Sequence, residues 1–138
     1  MFNGVSLQTV KYDAFYNRFR RLRWWVRFDV RYRCTRLQEL VEMLQLNVTE
    51  ASVLDVGFGS GRLLASFPTE GPVTGVEISS SAVDTAARDR RFDHKESQFV
   101  LVNEEDPEAL PPGPYDVVLS SHVLEHVSND MESLAAVW

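Results

Sequence analysis

The sequence predicts an α/β fold: a doubly wound, Rossmann-like parallel sheet with helices on both faces, preceded by an N-terminal helical arm. Three observations carry this. Short apolar runs near 52–56, 73–77, 98–102 and 115–120 alternate with helical stretches, the rhythm of parallel strands joined by crossovers. The first run passes directly into Gly57, Gly59 and Gly61, a strand–turn–helix junction of the kind that cradles a nucleotide-like ligand. The second run ends in an acid, Glu77, about 20 residues beyond that loop, where such folds place a carboxylate on ribose hydroxyls.

The arm comes first. Phe15, Phe19, Leu22 and Val26 recur at helical spacing, as do Leu37, Leu40, Val41 and Leu44, so one or two helices are expected over about Tyr12 to Leu46. Trp24, Phe28 and Tyr32 form a second stripe, and Arg20, Arg23, Arg27 and Arg31 a third. The aromatic stripe suits packing against the sheet. The arginines suit a solvated face paired with the rest of the chain. Alternatively the arm caps the ligand and helps line an acceptor pocket, where arginine forks would suit phosphate or carboxylate groups. The division expected is an arm over 1–50 and a ligand-binding domain over 51–138.

The first strand holds Val53, Leu54 and Val56, with Asp55 at its carboxyl end, two residues before the first glycine. A dinucleotide site wants G-x-G-x-x-G, with pyrophosphate on the following helix. Here the third glycine falls one residue early, Arg62 stands where that pattern wants glycine, and Asp55 would lie beside the pyrophosphate. An acid there suits a cationic or hydrogen-bond-donating ligand group instead. A short helix over 61–66, the strand ending in Glu77, and a helix over 80–90 follow. The third strand leads to Asp106-Pro107, with Asn103, Glu104 and Glu105 just before it. The stiff Pro111-Pro112-Gly113-Pro114 linker precedes the fourth strand, which ends near Ser120. A last helix is expected over 129–138.

Taken together, D-x-G-x-G-x-G at Asp55–Gly61, the acid at Glu77, the Asp106-to-Pro111 segment and Tyr115–Val127 resemble motifs of the class I S-adenosylmethionine (SAM) dependent methyltransferases, in order and spacing. The resemblance covers roughly the C-terminal two thirds of the chain. It implies SAM as cofactor and S-adenosylhomocysteine as product. It also implies roles: Gly57, Gly59 and Gly61 beneath the cofactor, Asp55 on the loop and the methionine amino group, Glu77 on the ribose, and Ile78 on the adenine face. Asp106 would meet the adenine edge, with Glu104 or Glu105 as alternatives, and Ser120 would pass the methionine moiety. If the acceptor is a hydroxyl, His122 or His126 could serve as base, imidazole titrating near working pH; both also fit packing against the sheet. His122-x-x-Glu125-His126 spells an inverted metalloprotease signature, but it follows a buried strand and lacks a distant third ligand, so no metal is expected.

That family has seven strands, ordered 3-2-1-4-5-7-6, and only the first four are found here. An N-terminal fragment or truncated form is therefore expected, weakly active alone, with strand four an apolar edge prone to self-association. The Trp24-Trp25-x-Arg27 segment is similar to the N-terminal helix of some bacterial methyltransferases encoded with polysaccharide biosynthesis, which implies a small-molecule or glycan- or lipid-linked acceptor, an acidic one suiting the arginines. A nucleotide-binding oxidoreductase domain and a non-catalytic or split-enzyme module are the rival readings.

Composition bounds these readings. At 138 residues, 44% hydrophobic and 25% charged, the chain is an ordinary globular domain. Its single cysteine, Cys34, excludes an internal disulfide and fits a reducing, cytoplasmic setting. Met1–Val10 lacks a signal pattern, and no run approaches the ~20 apolar residues of a membrane span. The net charge of −6 divides unevenly: residues 1–36 carry 9 Lys and Arg against 2 Asp and Glu. The arm is thus basic and the body acidic, and no nucleic-acid partner is expected.

Overall fold

A computed structural model describes residues 25–103 and 110–123, together with Ala14 and Ala135, both helical. Its elements in chain order are α1 (Trp25–Met43), β1 (Val53–Val56), α2 (Arg62–Ser66), β2 (Val73–Glu77), α3 (Ser80–Ala86), a 3-10 turn (Arg90–Phe92), β3 (Ser97–Leu101) and β4 (Val117–Ser120). Of the helix expected over 129–138, Ala135 alone is described, and it is helical.

All strand pairings are parallel, in the order β3-β2-β1-β4. From β1 the chain winds outward through β2 and β3, then returns to lay β4 on the other side of β1. The order reverses between β1 and β4, and α/β sheets bind ligands outside the carboxyl ends of the strands at such a reversal. The register aligns those ends: Val56 pairs with Val76 on one side and Ser120 on the other. Asp116 fixes this register, accepting both the N–H and the hydroxyl of Ser52, each at 2.8 Å. Those bonds hold its carboxyl below the usual range.

Side chains alternate along a strand, so Val53, Asp55, Val73, Gly75, Phe99 and Leu119 share one face of the sheet. On it, Val41 and Val48 from the arm region, Leu64 and Phe67 from α2 and its end, and Phe92 from the 3-10 turn form a continuous core with Val53, Val73 and Leu119. A second cluster joins Phe58, Ala82 and Ala86 to Phe99. The opposite face carries Leu54 and Val76, both buried. Thr69 ties the α2–β2 connection by donating to the Ala51 carbonyl at 2.7 Å while accepting the Gly71 N–H.

Three sequence expectations need correcting. The packing stripe of α1 runs through Val30, Leu37 and Val41, whereas Leu40 and Leu44 are exposed. The helix stops just beyond them: Gln45 adopts a left-handed φ of 52°, and the Leu46 and Gln45 N–H groups bond back to Val41 and Glu42, a Schellman stop. The aromatic stripe does not pack on the sheet where it is described: Phe28 is 71% exposed and Tyr32 exposed, with the Arg36 guanidinium over its ring. Finally, the helix expected over 80–90 stops at Ala86, because Asp89 caps the 3-10 turn by accepting the Arg91 N–H. Phe15, Phe19, Arg20 and Arg23 lie outside the described residues.

Candidate active site

The glycine loop follows β1 and is shaped by its neighbours. Gly57, Gly59 and Gly61 all have left-handed φ, at 72°, 53° and 66°. At Gly57 a Cβ would stand 2.4 Å from the Val123 side chain, so the segment after β4 presses on the loop there. At Gly59 a Cβ would meet no described residue nearer than 4.0 Å, so among the described residues that point of the loop is open to a ligand. The Gly57 N–H is tied to the Val76 carbonyl at 2.8 Å, and the Gly61 N–H closes a turn onto the Phe58 carbonyl. Phe58 itself points back onto the sheet, its ring over Gly75, where a Cβ would stand 2.5 Å from the ring, and 5.3 Å from the Phe99 ring centre.

Glu77 ends β2 and faces this loop. Its carboxylate accepts the Gly59 N–H at 2.9 Å, the Ile78 N–H at 2.8 Å and the Ser79 N–H at 3.3 Å. A carboxylate offers about four acceptor positions, so Glu77 both shapes the loop and retains capacity for a ligand donor. Ile78 is half-buried beside it, and Ser79 caps α3 by accepting the Ala82 N–H.

Asp55 lies on β1, one strand over. It is 2% exposed, and its Oδ2 has no hydrogen-bond partner among the described residues. Burial pushes its pKa up to about 7; repulsion from Glu77 adds to the rise, and the charge of Arg33 opposes it. Arg33 is the residue that sequence reasoning missed. It sits between Val30 and Leu37 on the packing stripe of α1, bonds the Ser121 hydroxyl at 3.2 Å and pairs with Asp29 at 2.8 Å. Its buried Nε has no partner among the described residues. An arginine inside an apolar stripe is the signal the sequence holds for it, and Arg33 stands apart from the regular series Arg20, Arg23, Arg27 and Arg31.

The remaining predicted residues divide. Ser120 is exposed at the end of β4, in register with Val56. His122, two residues on, is exposed with a left-handed φ of 60°, an uncommon conformation for a non-glycine residue that belongs to the turn after β4. Asp106, Glu104, Glu105 and His126 lie outside the described residues. Among the described residues no three His, Cys, Asp or Glu side chains group to hold a metal. The structure therefore brings together Asp55, the three glycines, Glu77, Ile78 and Ser120 along one edge of the sheet, and adds Arg33 and Ser121. The set has a glycine cradle open at Gly59, an acid at each of two neighbouring strand ends, and a guanidinium opposite the buried acid.

Comparison with known proteins decides the family. The sequence profile described as "Methyltransferase domain" matches residues 54–138. The chain belongs to the class I SAM-dependent methyltransferase family. Among curated relatives, this methyltransferase domain is 36% identical over 85 residues to the ubiquinone biosynthesis O-methyltransferase of Thiobacillus denitrificans, a match covering 61% of this chain and 37% of that protein. It is 34% identical over 88 residues to the ribosomal protein L11 methyltransferase of Burkholderia ambifaria, covering 62% and 26%. The matched region is thus about a third of each relative's length or less. Among solved structures, the YcgJ protein of Bacillus subtilis shares the fold at TM-score 0.57 and 19% identity, covering 73% of this chain and 43% of that one. The glycopeptide N-methyltransferase MtfA, solved in complex with sinefungin, shares it at TM-score 0.55 and 20% identity, covering 75% and 43%.

Proposed function

We propose that this domain binds SAM along the β1–β2–β4 edge and serves methyl transfer to a hydroxyl of a small-molecule or glycan- or lipid-linked acceptor. One observation carries the cofactor reading. The buried Asp55 carboxyl lies within the electrostatic reach of Arg33, and among the described residues Asp55 Oδ2 and the buried Arg33 Nε have no partner, while the rest of the guanidinium, partly exposed, reaches Asp29 and Ser121. Buried polar groups are rarely left unsatisfied, so a buried acid with a free oxygen near a guanidinium with one free N–H is a fit for a ligand that carries both charges. The amino-acid end of SAM is such a zwitterion: its ammonium suits Asp55 and its carboxylate suits Arg33. Glu77 has acceptor capacity for a ribose hydroxyl, and Gly59 leaves the backbone open for close approach. Sinefungin, bound by one structural neighbour, is a SAM analogue and supports this reading.

When bound, SAM supplies a sulfonium methyl carbon that is already electrophilic, so the residues here act mainly by orienting and desolvating. Asp55 and Arg33 would fix the amino-acid end, and Glu77 the nucleoside. His122, exposed beside Ser120 and Ser121, is the described candidate for accepting the proton of an acceptor hydroxyl. Hydroxyl chemistry is favoured by the O-methyltransferases among the relatives, in ubiquinone biosynthesis of Thiobacillus denitrificans and Saccharophagus degradans. The L11 relatives match over a similar stretch, which fits a shared region that handles cofactor rather than acceptor. We also place the protein in the cytoplasm, in keeping with its one free cysteine; no helix among the described residues is long and apolar enough to cross a membrane. The outer edge of β4, where Val118 is 39% exposed, is proposed as a site of self-association.

Calorimetry with SAM, S-adenosylhomocysteine and NAD tests the reading. Binding of the first two and none of NAD is expected; NAD binding more tightly than SAM overturns it.

A further inference from the structure

The glycine loop is held from two directions, and the two holds differ in what a ligand would do to them. On the β2 side, the Gly57 N–H is tied to Val76 and the Gly59 N–H to the Glu77 carboxylate. On the other side stands Arg91, from the 3-10 turn 31 residues further along the chain. Its Nη2 donates to the Ser60 carbonyl at 2.9 Å. The guanidinium is itself locked: its Nε donates to both oxygens of Asp89, at 3.0 and 2.9 Å, and its Nη2 bonds Oδ2 as well. Those bonds hold the Asp89 carboxyl below its usual range, so the pair stays charged. The next residue, Phe92, is buried in the core and packs 3.4 Å from where a Cβ of Gly61 would be.

The Ser60–Gly61 peptide is therefore pinned at both ends, its carbonyl by Arg91 and its N–H by the Phe58 carbonyl. Pinning matters here because glycines on both sides, with left-handed φ, give this peptide little intrinsic preference for one orientation. The Glu77 tie is the one a ribose would compete for. The Arg91 tie is made on Ser60, away from Glu77, and survives that competition. We propose that Arg91, oriented by Asp89, is a positioning residue for cofactor binding: it holds the loop in its receptive shape while Glu77 turns to the ligand. The proposal rests on the cofactor reading above.

Such a brace has a distinct signature. The ion pair is partly exposed, so its loss should change the stability of the ligand-free protein little. Ligand affinity should change more, because the ligand then has to organise the loop itself. The experiment compares S-adenosylhomocysteine binding by calorimetry, and thermal melting without ligand, in the wild type, Arg91→Met, Arg91→Lys and Asp89→Asn. Arg91→Met keeps the aliphatic stem and should weaken binding about tenfold, the loss of one charge-assisted hydrogen bond. Arg91→Lys keeps one donor for Ser60 and should recover part of that loss. Asp89→Asn should fall between. The amide resonances of Gly59 and Gly61 should move in ligand-free Arg91→Met while those of Val53 and Leu54 stay in place. Wild-type binding with unchanged affinity in Arg91→Met overturns the brace alone. A melting loss in all three variants that tracks the affinity loss, with Arg91→Lys no better than Arg91→Met, makes the role structural and also overturns it. A wild type that does not bind S-adenosylhomocysteine overturns the cofactor reading and the brace together.

Discussion

The two sides of β1 are built differently. Toward β2, the contacts are packed and hydrogen-bonded: Phe58 fills the space over Gly75, Glu77 accepts three backbone N–H groups, and Arg91 bonds the loop at Ser60. Toward β4, among the described residues, Asp55 is buried with one oxygen unpartnered, Arg33 has its Nε unpartnered while its other nitrogens reach Asp29 and Ser121, and Ser120 and His122 are exposed. Burying a polar group without a partner costs stability, whereas a filled apolar contact adds to it. The difference teaches that the β2 side is preformed by packing, while the β4 side holds a buried acid in a costly state that, on the proposed reading, a charged ligand relieves.

The largest expected effect lies on the packed side. Phe58→Ala should destabilise by about 3–5 kcal/mol, since it removes a buried aromatic ring and leaves a cavity over Gly75. Gly75→Ala should cost about 1–3 kcal/mol through overpacking against the same ring. Combining Gly75→Ala with Phe58→Leu should cost less than the sum of the single changes. Urea unfolding measures all three, and full additivity would show that the ring and the glycine are not coupled.

The next effect belongs to the open side. Asp55 ionises near 3.8 in an unfolded chain and near 7 in the fold. Between those values the folded protein keeps a proton that the unfolded chain has released, so its stability falls as pH rises from about 4 to about 7 and then levels off. The drop attributable to Asp55 is roughly 4 kcal/mol. Asp55→Asn should remove this slope and be the more stable protein at pH 8. Parallel stability-versus-pH curves for the two proteins would mean that Asp55 is solvated or paired, and the contrast between the two sides would fail.

A smaller effect links the sides. Glu77→Ala should weaken S-adenosylhomocysteine by roughly 1.5–3 kcal/mol, about ten- to a hundredfold. It should also lower the Asp55 pKa, because Glu77 repulsion is the second cause of its rise. Unchanged affinity in a folded variant would leave Glu77 with the loop alone.

The features that were legible in the sequence are those written locally. Strand positions followed from apolar runs such as Val53–Val56 and Val73–Glu77, and the loop from glycines that must take left-handed φ. The illegible features depend on tertiary contact. Nothing local says that Phe58 turns back onto Gly75, or that Glu77 spends its oxygens on the loop that precedes it. Arg33 was hidden because a charged residue on a packing stripe reads as surface until α1 is placed against the strand ends. The end of α3 was missed because Asp89 looks like an ordinary helical acid until it caps the 3-10 turn.

On the proposed reading, the free oxygen of the buried Asp55, with Arg33 near it, receives the amino-acid end of the cofactor. The most direct test is calorimetry of Asp55→Asn and wild type with two ligands, S-adenosylhomocysteine and 5′-methylthioadenosine, the second lacking the amino-acid end. Asp55→Asn should lose about tenfold or more in affinity for S-adenosylhomocysteine, the cost of one charged hydrogen bond, and bind 5′-methylthioadenosine as the wild type does. Equal losses for both ligands, or none for either, would contradict the claim.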